Sequence, residues 1–238
     1  MTGQDLRGIV FDKDGTLFDF NATWGRWTLG LLTEEAGGDD TLVEVLAAEL
    51  GYDIANCTFL PGSAIVSHTT AEIADLMLPH LPPQPKSELV ARLDGRTAHA
   101  PQLEATPLRP FLADLRARGF VLGIATNDSE TPARAHLAAS GIEDHFDFIA
   151  GADSGHGYKP GPGQLIAFSE AVGLAPDVVA MVGDSVHDLM AARAAGMRAV
   201  GVLTGLADTA ELSPHADIVL PSIAGLPAWL ASLTSPSD

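Results

Sequence analysis

From residue 106 onward the chain alternates helical and strand patterns without interruption, and this rhythm narrows its possible folds more than anything else in it. Leu108, Phe111, Leu112 and Leu115 recur at helical spacing up to Gly119, and the apolar run 120–125 then reads as a strand ending in Thr126 and Asn127. Further helices are predicted over 132–140, 164–172, 187–195 and 226–233, and further strands over 146–150, 178–182, 199–203 and 218–220. Such alternation implies a parallel sheet with helices on both faces. With 238 residues, 46% of them hydrophobic, the chain has material for one sizeable α/β domain carrying a smaller insert.

The sheet gains another strand near the start. Ile9, Val10 and Phe11 form an apolar run, and Gly15 breaks it just after Asp12 and Asp14. After Leu17 the periodicity becomes helical. Trp24, Trp27 and Leu31 share one face; so do Leu42, Val45 and Leu46, then Ile73, Leu76 and Met77, and last Leu89 and Leu93. Thr69 with Glu72 has the spacing of a capping box. Pro79, Pro82, Pro83 and Pro85 separate the last two helices, and Pro101 and Pro107 mark the return. The expected organisation is an α/β domain formed by 1–19 and 107–238, with 20–106 as a small all-helical domain inserted after the first strand.

Charge restricts the partners. The formal net charge is −18, from 31 acidic and 13 basic residues, which repels nucleic acid and anionic membrane surfaces alike. An anionic substrate meets the same field, so local cations must overcome it. There are only three lysines, Lys13, Lys86 and Lys159. No apolar run approaches the roughly 18 residues of a membrane span, and the opening MTGQDLRG lacks the pattern of an export signal. A cytoplasmic location is the expectation. Cys57 is the single cysteine, so no internal disulfide forms, and it reads as a small buried hydrophobe.

Chemistry gathers where strands end. Asp12 and Asp14, two apart at a carboxyl end, repel each other; a cation or a shared proton relieves that, so they suggest a metal site or an acid/base pair, or else an Asx turn. Thr126 and Asn127 offer a hydroxyl and amides before a helix, suited to phosphate oxygens or to a simple cap. Lys159 lies in the run KPGP, whose prolines would hold its ammonium near a phosphoryl group or carboxylate if it is not merely solvated. In GDSVHD, residues 183–188, Asp184 ends a strand and Asp188 falls in the first helical turn. Their carboxylates can face one point and suit Mg²⁺, although a helix N-terminus favours an acid without any metal.

The order FDKDGTL, IATN, KPGP, VGDSVHDLMAARAAG resembles the haloacid dehalogenase superfamily, and most closely its phosphoglycolate phosphatase-like members. The continuation GVLTGLADTAELSPHADIVLPS is similar to that group too, so the likeness runs from residue 6 to about 225 outside the helical insert. It implies a Rossmann-like core and a helical cap that closes over the site. Carried over, it makes Asp12 the nucleophile, Asp14 the general acid and base, and Thr126, with Asn127 beside it, a phosphoryl contact. Lys159 would orient the phosphoryl group and Asp12. Mg²⁺ would be held by Asp12, Asp184 and the backbone carbonyl of Asp14, with Asp188 in support. The implied function is Mg²⁺-dependent hydrolysis of a small phosphorylated metabolite, phosphoglycolate-like or a sugar phosphate, through an aspartyl phosphate.

Asp14 argues against a dehalogenase, and Lys86, late in a proline-rich stretch, is badly placed for a phosphonatase. A phosphomutase of the β-phosphoglucomutase type shares the core motifs and stands as the alternative; a silent binding protein would be expected to lack Asp12 or Asp14. Directly after the first motif the chain reads FDFNATWGRW, with Phe20 and two tryptophans where phosphoglycolate phosphatases more often carry a serine and smaller side chains. The insert holds four basic residues, Arg26, Lys86, Arg92 and Arg96, against twelve acidic ones. Of these Arg26 is the candidate substrate contact, and Trp24 and Trp27 are expected to pack the insert's core. The loop 60–68 is a further candidate for reaching the site, and His187 is assigned no role.

Overall fold

The computed structural model describes residues 6–60 and 62–234. The opening MTGQD and Pro61 lie outside them. In chain order the elements begin with β1 (Gly8–Phe11), α1 (Phe20–Glu35), α2 (Asp40–Leu50), the short strands β2 (Tyr52–Asp53) and β3 (Thr58–Phe59), α3 (Ala64–Ser67), α4 (Thr70–Met77) and α5 (Lys86–Thr97). There follow α6 (Leu108–Ala117), β4 (Val121–Ala125), α7 (Glu130–Ala139), β5 (Phe148–Ala150), α8 (Gly163–Val172), β6 (Val179–Gly183), α9 (Val186–Ala195), β7 (Arg198–Val202), α10 (Thr209–Leu212), β8 (Ile218–Leu220) and α11 (Leu226–Thr234).

Six of the strands form one parallel sheet in the order β5-β4-β1-β6-β7-β8, with Ile9 in register with Leu122 on one side and Ala180 on the other. The fold is a Rossmann-like α/β core. Alternation of side chains sorts the central strand onto two apolar layers. Ile9 and Phe11 pack with Leu112 of α6 and Leu137 of α7, while Val10 packs with Phe168 of α8 and Leu189 of α9. Because β4 and β6 flank β1 on opposite sides, the connections diverge there and leave a crevice beyond the strands' carboxyl ends.

The segment between β1 and α6 has an apolar cluster of its own, centred on Phe20, Leu32, Leu46, Leu50, Met77, Leu89 and Leu93. The Thr69–Glu72 capping box is present: Glu72 N–H donates to Thr69 Oγ1 (3.2 Å) and Thr69 N–H to Glu72 Oε2 (2.8 Å). Two features differ from expectation. The segment is not all helical, because β2 and β3 pair antiparallel, Tyr52 with Phe59 and Asp53 with Thr58. Strands of two residues are too short to show an alternating pattern. Asp53 turns the chain between them by accepting the N–H groups of Ala55 (2.9 Å) and Asn56 (3.2 Å). In α2 the buried face is Val43, Leu46, Ala47 and Leu50, and Val45 is exposed.

The chain leaves and rejoins the sheet along paired connections, Asp19 N–H donating to Leu103 O (2.8 Å) and Ala105 N–H to Leu17 O (2.9 Å). Among the described residues no helix is long and apolar enough to cross a membrane.

Candidate active site

Asp12 continues β1 by one residue, its N–H donating to Val182 O (2.9 Å). The neighbouring β6 ends at Gly183, which delivers Asp184 to the same level, and Ser185 then starts α9 in a capping box with Asp188. Ser185 N–H and Oγ donate to Asp188 Oδ2 at 3.0 and 2.7 Å, which fixes the carboxylate and leaves Oδ1 to face the crevice cluster. Gly15, with φ +76°, makes the turn after β1. A Cβ on Gly15 or on Gly205 would overlap the Asp184 carboxyl, so both glycines leave room for that acid.

One carboxylate oxygen from each of Asp12, Asp184 and Asp188 lies within 4.8 Å of the other two, and all three residues are buried. Burial pushes the Asp12 carboxyl up to about 7; the charges of Asp188 and Asp14 push the same way and Lys159 opposes them. Asp184 is raised well above the usual range, again by burial and then by Asp12 and Asp188. Lys159 Nζ donates to Asp12 Oδ1 (2.7 Å) and Asp188 Oδ1 (2.5 Å). Burial disfavours its charge, but the two carboxylates outweigh burial and raise its pKa. Three crowded carboxylates against one ammonium leave excess negative charge and unshared hard oxygens, a donor set that fits a divalent cation.

The structure gathers Asp12, Asp14, Thr126, Asn127, Lys159, Asp184 and Asp188 around one cleft between sheet and insert. Thr126 Oγ1 accepts the N–H of Asp128 (3.1 Å), which leaves its hydrogen to donate. Asn127 uses its side chain on Lys159: Oδ1 accepts Lys159 N–H (2.9 Å) and Nδ2 donates to Lys159 O (3.0 Å). It therefore sets the lysine's position. Arg26, expected to contact substrate, is exposed and does not line the cleft, because the inward face of α1 is Trp24, Trp27, Thr28 and Leu31. The loop that includes His68 does reach the cleft, as does His187.

Sequence reasoning missed a second cluster. Lys13 is fully buried, its Nζ 2.5 Å from Asp14 Oδ2, 3.0 Å from Asp128 Oδ2 and 3.2 Å from His136 Nδ1. Trp24, expected only to pack the insert, donates its indole N–H to Asp14 Oδ1 (2.8 Å). Position 13 between the two acids was the available signal for the lysine; nothing in the sequence locates His136 or pairs Trp24 with Asp14.

Fold and site together define an α/β enzyme with an acidic centre, of a donor set that fits a cation, at the carboxyl edge of a parallel sheet. The chain belongs to the haloacid dehalogenase-like hydrolase family, whose model matches residues 6–196, and within it is a phosphatase, a phosphoric monoester hydrolase. It is 40% identical to the phosphoglycolate phosphatase of Chromobacterium violaceum over 95% of this chain and 97% of that protein. To the phosphoglycolate phosphatase of Escherichia coli K12 it is 29% identical, over 85% of this chain and 83% of the relative. Among solved structures, CbbY from Rhodobacter sphaeroides in complex with phosphate is similar at a TM-score of 0.73 and 22% identity, over 93% of this chain and 96% of that one. A phosphatase of Thermococcus onnurineus from the same superfamily is similar at a TM-score of 0.67 and 24% identity, over 94% and 98%.

Proposed function

We propose that this phosphatase hydrolyses a small phosphomonoester, phosphoglycolate-like or a sugar phosphate, in two steps through an aspartyl phosphate on Asp12. The observation that carries this reading is the Asp12 carboxylate, held 2.7 Å from the Lys159 ammonium on the floor of the cleft beside Asp184 and Asp188. In the first step an Asp12 oxygen bonds to phosphorus as the bond to the ester oxygen breaks, and Asp14 gives the departing alcohol its proton. In the second, Asp14 takes a proton from water, which attacks phosphorus and releases Asp12. Lys159 neutralises phosphoryl oxygens and steadies Asp12, the Thr126 hydroxyl donates to another, and Asn127 holds Lys159 in place. Mg²⁺ held by Asp12, Asp184, the backbone carbonyl of Asp14 and, in support, Asp188 would supply positive charge to the phosphoryl oxygens.

The phosphoglycolate phosphatase relatives and the phosphate complex of CbbY support the substrate class. The test is phosphate release from phosphoglycolate, sugar phosphates and nucleotides, with Mg²⁺ or with chelator, beside Asp12→Asn. Release requiring both Mg²⁺ and Asp12 is expected. An unchanged rate in the Asp12→Asn protein would overturn the covalent route; interconversion of sugar phosphates without net release would make the chain a mutase.

A further inference from the structure

We infer that the leaving-group side of the cleft selects an uncharged, apolar or aromatic alcohol, and discriminates against esters that carry a carboxylate or a second phosphate. This rests on the two-step phosphatase reading above and, within its substrate class, sets the phosphoglycolate-like members aside in favour of esters of neutral alcohols. The wall that faces the phosphoryl site comes from the insert and presents Phe20, Trp24, Trp27, Leu31, Ile73 and Leu93. A second anionic group would lie against that surface, and a charge taken out of water needs a partner there.

None is supplied. Among the described residues, no lysine or arginine of the insert lines the cleft. Lys86 is held by Asp75 at 2.6 Å, Arg92 by Glu35 at 2.8 Å, Arg96 pairs with Glu34, and Arg26 is exposed. On the sheet side Lys159 is already shared between Asp12 and Asp188. The imidazoles of His68 and His187 also line the cleft. On the α1 side of the wall the buried Thr28 hydroxyl has no hydrogen-bond partner among the described residues, and it can bond a neutral oxygen or nitrogen. Apolar surface, an unused hydroxyl and a wall to which the insert brings no lysine or arginine describe a neutral leaving group.

The experiment compares three esters of primary alcohols, so that the departing oxygen is chemically similar in each: benzyl phosphate, 2-hydroxyethyl phosphate and phosphoglycolate. With Mg²⁺ present, kcat/KM is expected to fall in that order, benzyl phosphate exceeding phosphoglycolate by on the order of a hundredfold, mainly through KM. Ile73→Arg, its folding checked by circular dichroism, adds a cation to the wall and should raise phosphoglycolate relative to benzyl phosphate by about tenfold or more. Wild-type protein that hydrolyses phosphoglycolate as well as or better than benzyl phosphate overturns the selection and leaves the phosphatase reading standing. Failure to release phosphate from all three, and from 4-nitrophenyl phosphate, would instead sink the phosphatase reading itself.

Discussion

Two of the three lysines are buried on the carboxyl side of the sheet, each between two carboxylates, yet they are built into the molecule differently. Lys159 reaches Asp12 and Asp188 from the loop after β5, is held through its main chain by Asn127, and lines the cleft. Lys13 grows from the end of β1, joins Asp14 to Asp128, and contacts His136, whose Nε2 lies 2.5 Å from Thr97 O of α5. In both cases burial disfavours the ammonium and paired acids more than restore it. One device thus serves two ends. The first keeps a cation beside the proposed nucleophile, Asp12; the second ties the proposed acid/base, Asp14, to the joint between sheet and insert.

Substituting each lysine should separate those roles. Lys159→Met removes the cation nearest the proposed nucleophile, and we expect kcat to fall by about 10³, near the upper end for one lost electrostatic donor. A loss below about tenfold, with the protein still folded, would mean that Lys159 does not stabilise the reacting phosphoryl group. Lys13→Met should act first on stability. It leaves Asp14 and Asp128 facing each other without their common partner, which costs about 3–5 kcal/mol for a buried pair broken on one side. Urea unfolding measures this, and a Lys13→Met protein as stable as wild type would show the second cluster to be an idle contact.

The contrast also explains what the sequence made legible. Asp12, Asp184 and Asp188 were readable because each sits at a strand end or helix start that the alternation of periods locates, and because a parallel sheet brings such ends together; Lys159 was readable from the proline-rich run KPGP in the loop after β5. His136 was not readable: it is one residue on the buried face of α7, and its partners, Lys13 and Thr97, lie far from it in sequence. The same holds for the β2–β3 pair, whose four residues carry no period, and for Arg26. Its charge suggested a substrate contact, but the large apolar side chains on either side of it claimed the inward face of α1.

His136 offers a pH test of the Lys13 cluster. With Nε2–H donating to Thr97 O, its Nδ1 accepts from the Lys13 ammonium, and a proton there would face a positive charge. Burial first, and Lys13 second, lower its pKa from 6.5 to about 4. The unfolded chain then binds the extra proton between those values, so stability due to this residue is complete above about pH 6.5, falls as pH drops toward 4, and levels below it. Over that window the loss is on the order of 3 kcal/mol. His136→Gln keeps a donor and an acceptor without the titration. Subtracting its unfolding free energy from that of wild type at each pH isolates the slope from the carboxylates' own; a flat difference would break the proposed link.

The smallest effect tests the other tie on Asp14. Trp24 comes from the insert, yet its N–H meets Asp14 Oδ1 at 2.8 Å while its ring stands edge to face against Trp27, centroids 5.0 Å apart. Trp24→Phe keeps an aromatic ring and deletes the donor. A hydrogen bond to a carboxylate is worth about 1.5 kcal/mol at the low end, so kcat should fall by roughly tenfold. Trp27→Phe disturbs the same ring pair and the same cleft wall but touches no acid in this way; it is expected to act through KM and to change kcat by no more than about twofold. If the two variants lose activity equally, the indole matters only as packing. If Trp24→Phe alone is slow, the insert orients the proposed acid/base through a residue that the first motif does not contain.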